Sequence, residues 1–337
     1  MAADGTDRTG TVTAGPIRVT QTDVLLLIAL GVLWGSAYVA IRVGIVGGAT
    51  PFAFAGVRYA MVAGLLALIA AVRRDPWPSR RSILLSSAVG GTFIIGLYGM
   101  LLYWGEQFTT GGYAAVLAGI APILTVVYGY SLLSSERLRA AAVVGIALGF
   151  IGVVVLVFPT LLGSVGSNWE GPVAVIGAFV VFPLGSVLLR RWGRGGESTW
   201  QLSFQFAVGA AILAVAVLLA PVPEQLPFTL TVWASLLVLV VFASVFGYVV
   251  YFRLHHRIGP ARANLVAYVV PIVGIGVGSG FFGEPITVWE VGGFVLIALG
   301  LSLVFAASNR PPAPAAEALR KTEVDSPSLQ LEKDRRA

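Results

Sequence analysis

The sequence predicts an all-α integral membrane protein, in which ten transmembrane helices form two inverted five-helix repeats around a central cavity. Three observations predict this fold class: an apolar composition, ten apolar segments of about 20 residues, and basic residues confined to alternate connections. Of the 337 residues, 57% are hydrophobic and 11% are charged, whereas soluble domains carry about a quarter charged residues. Lipid is therefore the expected solvent for most of this surface.

The apolar segments are each long enough to cross about 30 Å of hydrocarbon. In the first half they cover 23–45, 51–72, 82–103, 113–133 and 140–158, and in the second half 171–189, 201–220, 231–252, 263–282 and 287–306. The first segment lacks the basic flank and clear cleavage site of a signal peptide, so we interpret it as a retained helix. An even number of crossings puts both termini on one side of the membrane.

The basic residues predict which side that is. With the N-terminus in the cytoplasm, the inner tails and connections contain 20 of the 22 lysines and arginines, and the five outer loops contain none. Basic residues accumulate in cytoplasmic loops, so we expect both termini to be cytoplasmic and the protein to lie in the inner cell membrane. Because one missed or extra helix would break the alternation, this distribution also supports the count of ten.

An ordered set of residues recurs in the two halves. The fourth and ninth segments each contain a mid-span proline followed by isoleucine, and a glutamate follows each proline after 14 or 13 residues. Glycines stand 9 and 16 residues beyond each glutamate. The first series is Pro122, Glu136, Gly145 and Gly152, and the second is Pro271, Glu284, Gly293 and Gly300.

Because each half has five segments, the second half must enter the membrane from the opposite face, as in the inverted repeats of many secondary transporters. Both prolines then fall near the middle of the bilayer, where the carbonyl freed by a proline needs protein or a watery cavity to satisfy it. They indicate a central cavity or only shape helix packing. The predicted organisation is a disordered tail at 1–21, repeats at 22–159 and 170–307, and a disordered tail at 308–337.

Several classes of function are disfavoured by residues that the chain lacks. It contains no cysteine, only the adjacent His255 and His256, and lysines only at positions 321 and 333 in the C-terminal tail. This leaves no thiolate, no spaced metal-ligand set and no phosphate-binding GxxxxGK[ST] loop. We therefore expect no cofactor, no metal, no catalytic residues and no enzyme activity. The basic residues lie between apolar segments rather than along one face, so no nucleic-acid partner is expected.

Short motifs recur along the chain in a fixed order. In the first half they are Trp34-Gly35-Ser36 with Tyr38 and Arg42, Pro51, Arg58-Tyr59, Ala121-Pro122 and Ser135-Glu136-Arg137-Leu138. In the second half they are Gln205, Tyr251, Ile258-Gly259, Ala261-Arg262-Ala263, Val270-Pro271 and Gly283-Glu284-Pro285-Ile286-Thr287. Together they resemble the EamA-type transporters of the drug/metabolite transporter superfamily. The resemblance implies a ten-helix metabolite carrier, often an amino-acid exporter, whose cavity is lined by helices one, three, four, six, eight and nine.

Arg42 and Arg58 are the basic residues that fall inside predicted helices, and ionisable residues there are functional candidates. Arg58 lies about 10 Å below the outer interface, since it follows Pro51 by seven residues at 1.5 Å per residue. It either pairs with Glu106 just outside helix three or contacts an anionic substrate. For Arg42 we expect the side chain to extend to the interface.

The acidic residues all fall at predicted helix ends or in connections, and none lies near the middle of a span. Proton-coupled antiporters commonly need a titrating carboxylate within the membrane. We therefore expect facilitated transport or substrate exchange without a proton switch.

Neutral polar and aromatic side chains are then expected to line the cavity. Asparagine offers amide donors and an acceptor, and tyrosine adds a hydroxyl to an aromatic face, which together suit a small amphiphilic solute. Tyrosines near helix ends also serve as interfacial anchors. The substrate-binding candidates are Trp34, Ser36, Tyr38, Arg58, Tyr98, Pro122, Tyr248, Asn264, Tyr268 and Pro271.

The sequence thus predicts a secondary transporter that exports a small metabolite by alternating access in a lipid bilayer. A permease for nucleotide sugars or organic anions is the alternative, favoured if Arg42 and Arg58 both face the cavity, and a non-transporting scaffold is the alternative of another class. The GxxxG spacings Gly145/Gly149, Gly274/Gly278 and Gly276/Gly280 predict close helix packing, at the seam between the halves or in a homodimer.

Overall fold

The computed structural model describes residues 19–108, 118–133, 139–156, 158, 170–192, 198–273 and 287–309. All regular elements within these ranges are helices. Residues 1–18 and 310–337 of the two predicted tails, the repeat glutamates Glu136 and Glu284, and the two later GxxxG spacings lie outside the described residues.

The helices of the first half follow the predicted order. They are α1 (Gln21–Val46), α2 (Pro51–Val72), α3 (Arg80–Ser86, Ser87–Leu97 and Tyr98–Glu106), α4 (Ala121–Leu132) and α5 (Ala140–Leu156). The middle section of α3 is a π-helix. Helix α3 continues to Glu106, three residues beyond its predicted end at Tyr103. Glu106 is therefore part of the helix rather than of the loop, which corrects the sequence-based placement.

The helices of the second half repeat this arrangement. They are α6 (Glu170–Trp192), α7 (Thr199–Leu219), α8 (Leu230–Val238, Leu239–Phe246 and Gly247–Ile258), α9 (Pro260–Ala263 and onward to Val273) and α10 (Val288–Asn309). The middle section of α8 is again a π-helix. The third helix of each half thus has the same α–π–α construction.

Six of these helices, α1, α2, α3, α6, α7 and α8, are long and apolar enough to cross a membrane. The chain is therefore a multi-pass membrane protein. In α4, α5, α9 and α10 the continuous apolar stretch found within the described ranges is shorter, at 10–17 residues. In α10, for example, this stretch is Val291–Ala307. The count of ten crossings stays a prediction.

One end of the helix bundle carries arginines that cap neighbouring helices, and we call it the basic end. Its contacts join the start of α1 to the end of α8, the end of α6 to the ends of α4 and α8, and the end of α2 to the start of α7. They are Arg257 Nε with Asp23 at 3.3 Å, Arg191 with the Leu132 carbonyl, Arg190 with the His256 carbonyl, and Thr199 with the Asp75 carboxylate.

The other end, which we call the distal end, joins the α1–α2 and α7–α8 connections. The Thr50 amide donates to the Gln225 carbonyl at 2.9 Å, and the Ala53 amide donates to the Glu224 carboxylate at 2.9 Å. Connections predicted to lie on opposite sides of the membrane are therefore at opposite ends of the bundle. Which end faces the cytoplasm remains the prediction made from the arginines.

Several helix pairs join the halves, and in two of them, α2–α7 and α5–α10, the helices run in opposite directions. In the α2–α7 pair, the Ser203 hydroxyl donates to the Ala63 carbonyl and the rings of Tyr59 and Phe206 are 5.5 Å apart. Residue numbers fall along α2 from Ala63 to Tyr59 while they rise along α7 from Ser203 to Phe206, so the two helices are antiparallel.

The α5–α10 pair packs through the glycines of the repeat. A Cβ on Gly145 would lie 2.7 Å from the Gly300 carbonyl oxygen, and one on Gly152 would lie 2.9 Å from the Gly293 carbonyl oxygen. The absence of side chains therefore lets the two backbones touch. The contacts are reciprocal, because Gly145 corresponds to Gly293 and Gly152 to Gly300 in the repeat. The predicted close packing of helices at Gly145 is thus at the seam between the halves.

Candidate functional site

A cavity lies between the two halves and is enclosed by α1, α2, α3, α6, α8, α9 and the approach to α4. It contains about 670 Å³ of space, a volume that includes its open part. Its lining residues are Trp34, Ala37, Tyr38, Ile41, Arg58, Tyr59, Tyr98, Leu102, Tyr103, Ala118, Ala121, Phe182, Tyr248, Asn264, Val266, Ala267 and Val270. Most of this lining is apolar or aromatic, and it contains one charged side chain.

That charged side chain is Arg58 of α2, which is 5% exposed. Its Nε donates to the Ser244 hydroxyl in α8 at 2.9 Å, and its Nη1 donates to the Tyr103 hydroxyl in α3. The guanidinium carbon also lies 5.5 Å from the ring centre of Tyr59 and 6.0 Å from that of Tyr103, which are cation–π distances. All of these partners are neutral.

The sequence led to two expectations for Arg58, and one of them was an ion pair with Glu106. The structure does not contain this ion pair. No nitrogen of Arg58 comes within 4.0 Å of a Glu106 oxygen, because the guanidinium is turned toward Tyr103 and Ser244. The two hydrogen bonds of Arg58 use the N–H of Nε and one N–H of Nη1. A guanidinium has five N–H donors, so donors remain for a molecule in the cavity.

An aromatic cluster forms the middle of the cavity. The Trp34 ring lies 5.3 Å from Tyr248 and 6.0 Å from Phe182, and Phe182 lies 4.9 Å from Tyr98. These rings come from α1, α8, α6 and α3, so both halves contribute. The Trp34 indole is fixed by donation of its Nε1–H to the Ala243 carbonyl in the π-helical section of α8, at 3.1 Å.

Asn264 closes the cavity toward the basic end. Its amide nitrogen donates to Thr125 Oγ1 at 2.7 Å and to Ser186 Oγ at 3.1 Å, and its oxygen accepts from the Tyr251 hydroxyl at 3.0 Å. These bonds join α9 to α4, α6 and α8. Since both amide protons and the carbonyl oxygen are engaged, Asn264 forms a polar floor rather than a free binding group.

The floor continues through His255, which is fully buried. Its Nε2 lies 2.7 Å from the Ser186 carbonyl oxygen, and its Nδ1 has no hydrogen-bond partner among the described residues. A carbonyl can only accept, so Nε2 carries the proton in this contact. Below the cavity the basic end is therefore packed with mutually bonded side chains. No three His, Cys, Asp or Glu residues group as metal ligands within the described ranges.

The structure brings six of the ten sequence candidates to the cavity: Trp34, Tyr38, Arg58, Tyr98, Tyr248 and Asn264. Ser36 does not line it, since its hydroxyl donates to the Val32 and Leu33 carbonyls of its own helix. Tyr268 also lies elsewhere: its hydroxyl donates to the Ile146 carbonyl in α5, and its ring lies against Gly149. It joins α9 to α5.

The two prolines flank the cavity without lining it. Pro122 is in the first turn of α4 rather than in the middle of a continuous helix, where its missing N–H leaves no helical bond unmade. In α9 the helix is interrupted at Asn264 and Leu265, not at Pro271. The preceding residues, Ala121 and Val270, do line the cavity, so the prolines mark its level.

Sequence reasoning missed part of the lining. Helix two was not among the expected cavity helices, yet Arg58 and Tyr59 both face the cavity. Phe182 was not singled out, although it precedes a proline inside α6, Pro183, and a mid-helix proline was the signal used in α4 and α9. Arg42 is exposed and is not a lining residue.

A family comparison matches almost the whole described fold. The EamA-like transporter family matches residues 21–158 and again residues 169–306. Among similar proteins, the uncharacterized transporter YvbV of Bacillus subtilis is 27% identical over 301 residues, which cover 86% of this chain and 94% of YvbV. The uncharacterized inner membrane transporter YedA of Escherichia coli K12 is 27% identical over 286 residues, covering 83% of this chain and 87% of YedA.

The chain is also similar in sequence to one further protein and in fold to a solved structure. Protein PecM of Dickeya dadantii is 28% identical over 220 residues, covering 64% of this chain and 71% of PecM. A solved crystal structure aligns with a TM-score of 0.68 and 20% sequence identity, covering 87% of this chain and 99% of that chain. At this identity the structural match shows a shared fold.

Proposed function

The chain belongs to the EamA-like transporter family, and we propose that it is a secondary carrier that exports a small metabolite, such as an amino acid or a related compound, by alternating access. It is a membrane transporter and not an enzyme, as its family and its named relatives indicate. The lipid environment and a small-molecule substrate follow from that class.

The observation that carries the substrate proposal is the charge of Arg58. A buried cation in a membrane protein is costly unless an anion or polar groups compensate it. Within the described ranges, the polar and aromatic partners of Arg58 are hydroxyls and rings, and Arg58 is a lining residue. A carboxylate accepts two parallel hydrogen bonds from a guanidinium. We infer that a substrate carboxylate supplies the missing anion.

The aromatic cluster supports the rest of the substrate. Trp34, Tyr98, Phe182 and Tyr248 present apolar faces around the cavity centre, and burial of apolar substrate atoms there contributes about 25 cal/mol per Å². A molecule with one carboxylate and an apolar body fits both features. Amino acids with large apolar side chains have this form.

Alternating access is supported by the way the halves meet. We propose ten helices in two inverted repeats, and the reciprocal glycine contacts of α5 and α10 fit a two-fold relation between antiparallel halves. The polar floor at Asn264 separates the cavity from the basic end. In the proposed cycle, the halves rock about the α2–α7 and α5–α10 pairs, and the floor bonds break when the basic end opens.

The alternatives have less support. A permease for nucleotide sugars would use Arg42 and Arg58 together, but only Arg58 lines the cavity. A non-transporting scaffold has no need of a buried cation such as Arg58, which forms no ion pair with a described residue. The cytoplasmic position of both termini and a homodimer stay proposals from the sequence.

Ligand-induced thermal stabilisation of the purified protein tests the substrate class. The probes are the free amino acids, each compared with its amide, which keeps the side chain but lacks the carboxylate charge. We expect amino acids with large apolar side chains to stabilise the protein and their amides to do so far less. Substitution Arg58→Gln should weaken binding about 10- to 100-fold, since a charged hydrogen bond contributes about 1.5–3 kcal/mol.

Arg253→Gln is the matched control, because it also removes a helix arginine, but one that is exposed and does not line the cavity. It should bind like the wild type. Equal binding by Arg58→Gln and wild type, or equal binding of acids and amides, would contradict the carboxylate assignment.

A further inference from the structure

Glu106 is a buried carboxylate at the distal edge of the cavity, although the sequence suggested a loop position. It is the last residue of α3 and is 9% exposed. Its neighbour Gly105 packs closely on α6, where a Cβ would lie 3.0 Å from the Gly171 carbonyl oxygen. Because the backbones of α3 and α6 are this close at Gly105, the adjacent Glu106 side chain is buried.

One oxygen of this carboxylate lacks a partner in the part of the chain that the structure describes. Glu106 Oε1 accepts no hydrogen bond from a described residue, although a buried polar atom is normally bonded. The side chain lies one turn beyond Leu102 and Tyr103, both of which line the cavity. A buried carboxylate therefore sits next to the Arg58 site without being bound to it.

Charged and titratable groups face Glu106 from two helices besides its own. On helix α6 the atoms nearest to the position of a Gly105 Cβ belong to Gly171, Ala174 and Val175, and Glu170 of this helix is exposed. The groups within electrostatic reach are Arg42 and Tyr38 of α1, Arg58 and Tyr59 of α2, and Tyr103 of α3. Among the described residues, the two charged side chains that act on this carboxylate are thus both arginines.

Two opposing effects then act on Glu106. Burial disfavours its ionised form, whereas the positive charges of Arg58 and Arg42 favour it. If an anion neutralises Arg58, the second effect weakens and the protonated form gains. Occupation of the cavity by a carboxylate and protonation of Glu106 should therefore favour each other.

We propose that Glu106 takes up the proton that accompanies a substrate carboxylate into the Arg58 site. The proton comes from water and binds a carboxylate oxygen of Glu106, so that the loaded site gains no net charge. This inference rests on the proposed function, since it needs a carboxylate at Arg58. It replaces the expectation of transport without a proton switch, which was based on the absence of a carboxylate near the middle of a predicted span.

The protonation of Glu106 can be followed by infrared difference spectroscopy in a pH titration. The band of the protonated carboxyl is identified by its loss in Glu106→Gln and its shift in Glu106→Asp. In ligand-free protein, Arg58→Gln should raise the pH at which half of Glu106 is protonated by about one unit or more, because an opposite charge nearby shifts a carboxyl by about 1–3 units. An unchanged midpoint in Arg58→Gln overturns the proposal.

The same titration with a carboxylate probe separates this inference from the proposed function. Phenylacetate at saturating concentration should raise the wild-type midpoint and leave that of Arg58→Gln unchanged. Glu224→Gln, which removes a carboxylate at the distal end outside the cavity, should behave like wild type. If phenylacetate binds through Arg58 but moves no proton, the proton inference fails while the carboxylate site stands. If phenylacetate and the amino acids do not bind through Arg58, the proposed function fails, and the ligand-free shift alone decides whether Arg58 controls Glu106.

Discussion

At the scale of single residues, the hydrogen bonds of Asn264 in the polar floor allow an estimate of the effect of a substitution on stability. Asn264 uses its whole amide to join Thr125, Ser186 and Tyr251, and it is 1% exposed. An apolar replacement leaves the Tyr251 hydroxyl without its acceptor, and an unsatisfied buried group costs about 1–3 kcal/mol. The floor should therefore contribute both to stability and to closure of the basic end.

We predict that Asn264→Leu lowers the stability of the purified protein by about 1–3 kcal/mol. Fluorescence-monitored thermal unfolding in detergent measures this as a lower midpoint. Ser302→Ala is the control, because the Ser302 hydroxyl is exposed and bonds only to the Ala298 carbonyl of its own helix. An Asn264→Leu protein as stable as the Ser302→Ala protein would mean that the floor bonds contribute nothing measurable.

The chemistry of the residue types led to ten site candidates, of which the structure places six on the cavity lining. Polar and aromatic residue types suggested Trp34, Tyr98 and Tyr248 as binding candidates, and the structure places all three on the cavity lining. The same reasoning did not separate Tyr268 from them, because only the packing of α9 on α5 turns that ring toward Ile146. Likewise, the burial of Glu106 depends on a backbone contact between α3 and α6, which residue types do not reveal.

At the scale of helices, the repeat glycines make the contact between the halves. The sequence series identified Gly145, Gly152, Gly293 and Gly300 as equivalent positions, and the structure pairs them across α5 and α10. A side chain there must push on backbone rather than on a flexible side chain. Overpacking of this kind costs about 1–3 kcal/mol.

We predict that Gly300→Ala lowers the unfolding midpoint, since its Cβ would lie 2.6 Å from the Gly145 carbonyl oxygen. Gly292→Ala on the same helix is the matched control, because its nearest neighbour is a side-chain atom of Val155 at 3.9 Å. The control should be neutral or gain up to about 1 kcal/mol from the better helix propensity of alanine. Equal midpoints for the two variants would contradict the close seam.

The π-helical sections of α3 and α8 were not predicted. Apolar periodicity locates a helix, but the shift from i→i+4 to i→i+5 bonding depends on what packs beside it. In α8 the π-helical section supplies the Ala243 carbonyl that accepts from Trp34. Their occurrence in the third helix of both halves is consistent with the internal repeat.

At the scale of the whole molecule, the two ends of the helix bundle differ in their arginine content. The contacts of Arg190, Arg191 and Arg257 fall together at the basic end, as the positive-inside pattern requires. The packing of the halves needed the structure, since hydropathy fixes the order of spans but not their neighbours.

Orientation can be read from single cysteines, because the native chain has none. We predict that Val222→Cys in the α7–α8 connection reacts with a membrane-impermeant maleimide added to intact cells. Pro76→Cys in the α2–α3 connection should react only after the membrane is permeabilised. Both positions are exposed, so access to the reagent depends on the side of the membrane. The reverse labelling pattern would place the termini outside the cytoplasm.

The central claim is that Arg58 holds the carboxylate of a transported molecule between the two halves. Counterflow of a radiolabelled amino acid into preloaded proteoliposomes tests it most directly, with the amino acid that stabilises the purified protein most. The account predicts saturable counterflow for wild type and Arg253→Gln, and a loss of about 10-fold or more for Arg58→Gln at low substrate concentration. Counterflow by Arg58→Gln at the wild-type rate, or none by any of the three proteins, would contradict it.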